Sequence, residues 1–271
     1  MIDSHCHLDD RKFGGEVPRG GEMPRHGEVS RMVDEANRVG VHTIVTIGTD
    51  LATSEKAVSI AHQFSSVYAT VGTHPHDARK FDERVLDRFR ELASSEKKIR
   101  AIGEIGLDYY RDLSPRPIQK KVFEAQLKLA VEVGLPVVIH TRESFEDTLA
   151  MTKEFARDLK GGVFHCFPGS IDDAMRVFEL GFVISVGGVI TYPNSGMARM
   201  VAEVPLEKVL LETDAPYLTP VPHRGKVNAP AYIPYIRDKL AEIRGISPAE
   251  VEKITDRNSR KFFGLSDVIE G

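Results

Sequence analysis

The chain has 271 residues, a formal net charge of −4, and 41% hydrophobic against 28% charged residues, which is ample for a core that needs neither disulfides nor structural zinc. The acidic balance excludes a generally basic nucleic-acid coat, so a nucleic-acid substrate has to be met by a local group of Lys and Arg. No apolar run approaches the roughly 20 residues that span a bilayer, no secretory pattern precedes the first strand, and Cys6 and Cys166 are the only cysteines, so the expected setting is the cytoplasm with reduced thiols.

Short β-branched runs alternate with longer segments of helical periodicity. The predicted strands are Met1–His7, Thr43–Gly48, Tyr68–Thr73, Arg100–Ile105, Val137–Thr141, Val163–Phe167, Val183–Val186 and Val209–Thr213. Between them lie helical segments at Ser30–Val39, Ser54–Phe64, Glu83–Ser94, Ile118–Val133, Phe145–Asp158 and Ile171–Leu180. Val122, Ala125, Leu129 and Val133 have the i, i+3, i+4 spacing of one apolar helix face. Breakers follow several helices, as in Val133-Gly134 before Pro136 and Leu180-Gly181.

Strands alternating with helices imply parallel pairing through right-handed crossovers. Eight such units in this length predict a (β/α)8 TIM barrel, one domain over residues 1–271, with Pro248–Phe263 as a C-terminal closing helix. An open doubly wound sheet is the alternative, and the missing Gly-rich fingerprint after the first strand counts against it. Phe13–Gly27, rich in Gly, Pro and charge, reads as an irregular loop.

The polar residues at the C-terminal strand ends carry the functional signal. His5 and His7 end the first strand, and His74 and His76 follow the third. Glu104, His140, His165 and Asp214 sit at the ends of the fourth, fifth, sixth and eighth. A barrel brings all these ends to one face, where such enzymes keep their active sites. Buried imidazoles and carboxylates are unfavourable unless paired or bound to metal. Strand alternation points His5 and His7 the same way and Cys6 the other, and it likewise separates His165 from Cys166. Both cysteines are therefore expected to be small core residues rather than ligands or nucleophiles.

The stretches DSHCHLDD, VGTHPHDA, AIGEIGLDYY, PVVIHTRES, FHCFPGS and LLETDAPYLTPVPHRGKVNAP, with Asn258 in ITDRNSRKFFGL, resemble the TatD family of metal-dependent deoxyribonucleases within the amidohydrolase superfamily. The resemblance runs nearly end to end and departs at Phe13–Gly27, which is longer and more Gly-rich than is usual there. It implies two divalent metal ions. His5, His7, Glu104 and Asp214 would hold the first, and Glu104 would bridge to a second completed by His140 and His165.

Such a pair activates water near neutral pH and stabilises attacking and leaving oxygens on a phosphate. Asp214 is assigned proton transfer besides ligation, and Glu104 is the bridging group. The donor set accepts Zn or Mn, while nucleases often run on Mg, so the ion's identity stays open. His74 and His76 are candidate substrate contacts or donors that orient ligands. Arg142 and Arg224 are candidate phosphate clamps, while Asp108 and Tyr109 are expected to shape their loop.

The expected function is hydrolysis of phosphodiesters in DNA, entered as a single strand or an end, with no membrane and no obligate protein partner. Metal-dependent hydrolysis of an amide or ester, such as a D-aminoacyl-tRNA, is the alternative enzyme, since fold does not fix substrate. A non-catalytic metal-binding scaffold is a third possibility, opposed by the water-activating pair Asp214 and Glu104.

Overall fold

The structure is a computed structural model, and it describes residues 1–14 and 26–265. Eight parallel strands follow one another in chain order around a single sheet. They are β1 (Ile2–Cys6), β2 (Thr43–Thr46), β3 (Val67–Val71), β4 (Ile99–Asp108), β5 (Val137–Arg142), β6 (Gly162–Phe164), β7 (Val183–Val186) and β8 (Val209–Leu211). A bridge between Cys6 and Ala215 joins the first and last, with His7 N–H donating to Ala215 O and Asp214 N–H to His5 O. The buried Asp3 carboxylate reinforces that seam by accepting from the N–H and hydroxyl of Thr213 at 2.9 and 2.6 Å. The barrel is thus closed as predicted.

Among the described residues the helices are α1 (His26–Arg38), α2 (Leu51–Gln63), α3 (Glu83–Ser95), α4 (Arg116–Val133), α5 (Phe145–Phe155), α6 (Ile171–Glu179), α7 (Gly196–Glu203), α8 (Ile233–Arg244) and α9 (Pro248–Phe263). Capping boxes start α2 at Asp50 and Thr53 and α6 at Ser170 and Asp173, which sets where the chain leaves each loop. Gly134, at φ 65°, ends α4 just before Pro136. The sequence pattern did not reveal α7 and α8. Pro193, Asn194 and Gly196 crowd the start of one, and Pro230 and Pro234 that of the other, so both read as turns. Most of Phe13–Gly27 lies outside the described residues. Its edges are a 3-10 turn at Arg11–Gly14 and the start of α1.

Alternate strand residues serve two cores. Ile2, Val45, Ala101, Val138, Val163 and Leu210 fill the barrel interior near the N-terminal strand ends, where Phe263 and Leu265 close it. Ile44, Ile102, Ile139 and Leu211 face the helix layer instead. Helix α9 is therefore the closing helix. Asn258 fixes it by donating to Leu206 O and Val209 O at 2.8 and 2.9 Å, at the start of β8. With that end sealed, the polar strand ends remain open at the other.

Candidate metal centre

Two bulges set the direction of the polar side chains. Between Asp3 and Cys6, β1 carries one more residue than β2, and between Ile102 and Ile105, β4 carries one more than β5. Strict alternation from Ile2 and Ala101 would turn Ser4 and Gly103 inward. Each bulge resets the period by one, so His5 and Glu104 face the barrel axis while Cys6 and Ile105 join the outer core. Gly106, at φ 143°, lets β4 pass close to β5, since a Cβ there would lie 2.0 Å from His140 O.

The groups converge around Glu104, which is 3% exposed. Its Oε2 faces His5 Nε2 at 3.4 Å and His7 Nε2 at 3.9 Å. Its Oε1 lies 2.8 Å from both His140 Nδ1 and His165 Nε2. Asp214 Oδ1 completes the first side at 3.7 Å from His5 Nε2 and 3.5 Å from His7 Nε2. One carboxylate thus has an oxygen toward each of two imidazole groups.

Burial alone would raise the Glu104 carboxyl, but the charge of His165 and hydrogen bonds from His140 and His165 hold it well below the usual range. Asp214 is also lowered, against its burial, by His7, His5 and His165. His7 goes the other way. Burial opposes its charge, yet the Asp214 and Glu104 carboxylates lift it to about 9.

A divalent cation fits this donor set. Both ring nitrogens of His5 and Nδ1 of His165 are buried without a hydrogen-bond partner, an unfavourable state for polar atoms that ligation or protonation relieves. His140 Nδ1 lies 3.3 Å from His165 Nε2, and candidate ligand atoms of His5, His7 and Asp214 all lie within 4.8 Å of one another. Donors about 2.0–2.2 Å from a common ion are separated by about that much or less.

The histidines beside this set have distinct tasks. His74 Nδ1 accepts the N–H of His76 at 3.1 Å, so in the neutral ring the proton sits on Nε2, 3.4 Å from Glu104 Oε1. Burial lowers His74 to about 4 and keeps it neutral. It is a donor behind the carboxylate, not a free ligand atom. Asp108 Oδ2 takes Nε2 of His76 at 2.9 Å and Nε2 of His140 at 3.1 Å, leaving His140 Nδ1 turned toward Glu104. Burial favours protonation of Asp108, but those rings and the Arg111 N–H hold it far below the usual carboxylate range.

The sequence pattern placed Asp108 in a loop and passed over Glu212 altogether. The first is in β4, which runs three residues beyond its predicted end. Glu212, fully buried, lies 3.6 Å from His165 Nδ1 and accepts Cys166 N–H at 2.7 Å and the Ser185 hydroxyl. Its place two residues before Asp214 on an inward register was the available signal. Strand β6 stops at Phe164, so alternation does not reach Cys166, where the backbone turns at φ 42°. Burial pushes both thiols up, which suits packing rather than nucleophilic attack.

Arg142 and Arg224 stay exposed on the rim and outside the metal-ligand geometry. The guanidinium of Arg142 lies over the Tyr110 ring at 3.9 Å, and that of Arg224 over Tyr192 at 4.2 Å. Tyr109 hydrogen-bonds Asp147 at 2.6 Å under the Arg116 guanidinium, a loop-shaping role. Among the described residues no helix is long and apolar enough to cross a membrane.

A family model described as TatD related DNase matches residues 2–264. The chain is 36% identical over 267 residues to the uncharacterized metal-dependent hydrolase YabD of Bacillus subtilis, covering 98% of this chain and 100% of that one. It is 36% identical over 240 residues to the 3'-5' ssDNA/RNA exonuclease TatD of Klebsiella pneumoniae, covering 86% and 91%. The solved structure of YJJV, a TatD homolog from Escherichia coli, superposes with a TM-score of 0.88 at 30% identity and covers 98% of each chain.

Proposed function

Because the chain belongs to the TatD family of metal-dependent hydrolases, we propose that it cleaves phosphodiester bonds of DNA from a single-stranded 3′ end, with two divalent ions held at the barrel mouth. The observation that carries this reading is the division of the two Glu104 oxygens between His5 and His7 on one side and His140 and His165 on the other. A carboxylate with both oxygens so engaged is suited to bridging two ions. Asp214 adds its carboxylate to the first group.

Ions bound there supply positive charge at the phosphate and acidify water toward neutral pH. The chain's own residues do the rest. Glu104 and Asp214 are held ionised and are acceptors at neutral pH. Asp108 fixes the His140 ring through Nε2, Glu212 backs His165 from the Nδ1 side, and His74 donates to Glu104. Asp214 takes a proton from the attacking water and returns one to the leaving oxygen as the P–O ester bond breaks. A barrel mouth admits a single strand more readily than a continuous duplex, and the net charge of −4 suits a substrate met by few cations.

The test is digestion of 5′-labelled oligonucleotides, single- and double-stranded DNA and RNA, with Mg, Mn or Zn and with EDTA, resolved at single-nucleotide length. A metal-dependent ladder shortening from the 3′ end, absent with Glu104→Gln, is expected. Indifference of all substrates to every metal, or equal digestion by Glu104→Gln, overturns the reading. Turnover of a D-aminoacyl ester with intact oligonucleotides would move the assignment to the ester alternative.

A further inference from the structure

Two exposed tyrosines flank the candidate centre, each with a cation over its ring. Tyr110 is 54% exposed under Arg142, and Tyr217 is 40% exposed with Lys12 Nζ 4.0 Å from its centroid. Lone exposed aromatics are common and need no explanation. These two are joined to different groups of the site. Tyr110 N–H donates to Asp108 Oδ1 at 3.0 Å, and the other oxygen of that carboxylate holds His140. Tyr217 N–H donates to Asp214 O at 2.8 Å, its hydroxyl donates to Asp10 at 2.6 Å, and its ring meets that of His7 edge-on at 6.0 Å. Tyr110 is thus anchored through its N–H to the carboxylate that holds His140, and the Tyr217 ring sits against His7.

Resting on the nuclease reading above, we propose that Tyr110 and Tyr217 are stacking platforms for the unpaired bases on either side of the scissile phosphate, with Arg142 and Lys12 as their cationic partners. A planar ring with a cation on one face keeps a second face, and both residues are exposed, which leaves apolar surface to a ligand. Bases stack on aromatic faces with little regard to sequence, and the adjoining cations suit a polyanion. The occupant this chemistry selects is a single strand, because the bases of a duplex are already stacked on one another. An acidic peptide would satisfy the cations but leave the ring faces unused. Leu113, 57% exposed, lies on the same loop as Tyr110.

The test is binding by fluorescence anisotropy, using the full chain with manganese and cleavage-resistant phosphorothioate oligothymidylates. One probe carries all its bases, and the other is abasic at its two terminal positions. The wild-type protein is expected to bind the abasic probe at least about 30-fold more weakly. That gap should vanish with Tyr110→Ala combined with Tyr217→Ala and persist with the paired Phe substitutions, which keep the rings and lose the hydroxyls.

Equal affinity of the wild-type protein for both probes overturns the proposal without needing any variant, and so does an unchanged gap in the Ala pair. Cleavage of an ordinary oligonucleotide that is blind to terminal bases would sink the stacking alone. Neither binding nor cleavage of any oligonucleotide would sink the nuclease reading, and the platforms with it.

Discussion

Metal affinity should depend steeply on pH, with a slope set by which imidazoles are charged before the ion arrives. A histidine ligates only as the neutral ring, so each charged imidazole in the site must release a proton on binding. His7 is lifted to about 9, His165 well above its ordinary value and His140 also upward, while His5 and His74 are lowered. Between pH 6 and 8, His7 is therefore charged in the metal-free protein and neutral in the loaded one. One released proton changes the dissociation constant about tenfold per pH unit, or about 100-fold across that window. His140 and His165 steepen the slope by as much again for each proton they release.

Isothermal titration with manganese or zinc at pH 6, 7 and 8, in two buffers of different ionisation enthalpy, reads both affinity and proton count. Tighter binding at the higher pH is expected, with at least one proton released. His7→Gln should lower that count by about one. Affinity flat between pH 6 and 8, with heats independent of buffer, would refute the electrostatic account of these histidines.

In the metal-free protein the same group gives a stability signature of opposite slope. A pKa raised from 6.5 to about 9 on folding means that the stabilisation from His7 is complete below 6.5 and lost as pH rises through about 9. Chemical denaturation with EDTA should therefore show weaker folding at pH 9.5 than at pH 6.5, and a stability unchanged between them would contradict the charged assignment. Asp214 occupies φ 55°, a conformation that Asn tolerates well, so Asp214→Asn should keep the circular dichroism spectrum while lowering kcat on the order of 100- to 10,000-fold. Wild-type turnover by this variant would remove Asp214 from proton transfer. Glu212→Ala takes the acceptor from the Ser185 hydroxyl and leaves the Cys166 N–H with Ser185 Oγ alone, at 3.3 Å. Leaving that buried hydroxyl unsatisfied costs about 1–3 kcal/mol, and a urea midpoint equal to wild type would show that water replaces the carboxylate at no loss.

The barrel and its strand-end residues were legible because alternation of β-branched runs with helical segments is a long-range pattern, insensitive to boundaries. His5, His7, Glu104, His140, His165 and Asp214 all fall at predicted strand ends, and the fold gathers them. What the pattern could not contain was the bulge. Counting by twos from Ile2 or Ala101 aims His5 and Glu104 at the helix layer, and only an inserted residue in β1 and β4 turns them inward.

Boundaries hid two supporting carboxylates. With β4 stopped at Ile105, Asp108 belonged to a loop, yet the strand runs on and presents its carboxylate to His76 and His140. Glu212 looked like one more acidic residue in LLETDAP, since nothing local marks a side chain whose partners, Ser185 in β7 and Cys166 just past β6, arrive from elsewhere in the chain. The pairings of Arg142 with Tyr110 and Lys12 with Tyr217 likewise join segments far apart in the chain, which a single sequence does not reveal.

The most direct measurement is anomalous diffraction from crystals grown with manganese or zinc. Two peaks should flank Glu104, one bounded by His5, His7 and Asp214 and the other by His140 and His165. A single peak elsewhere, or ordered imidazoles hydrogen-bonded to one another at saturating metal with no peak between them, would contradict the two-ion centre.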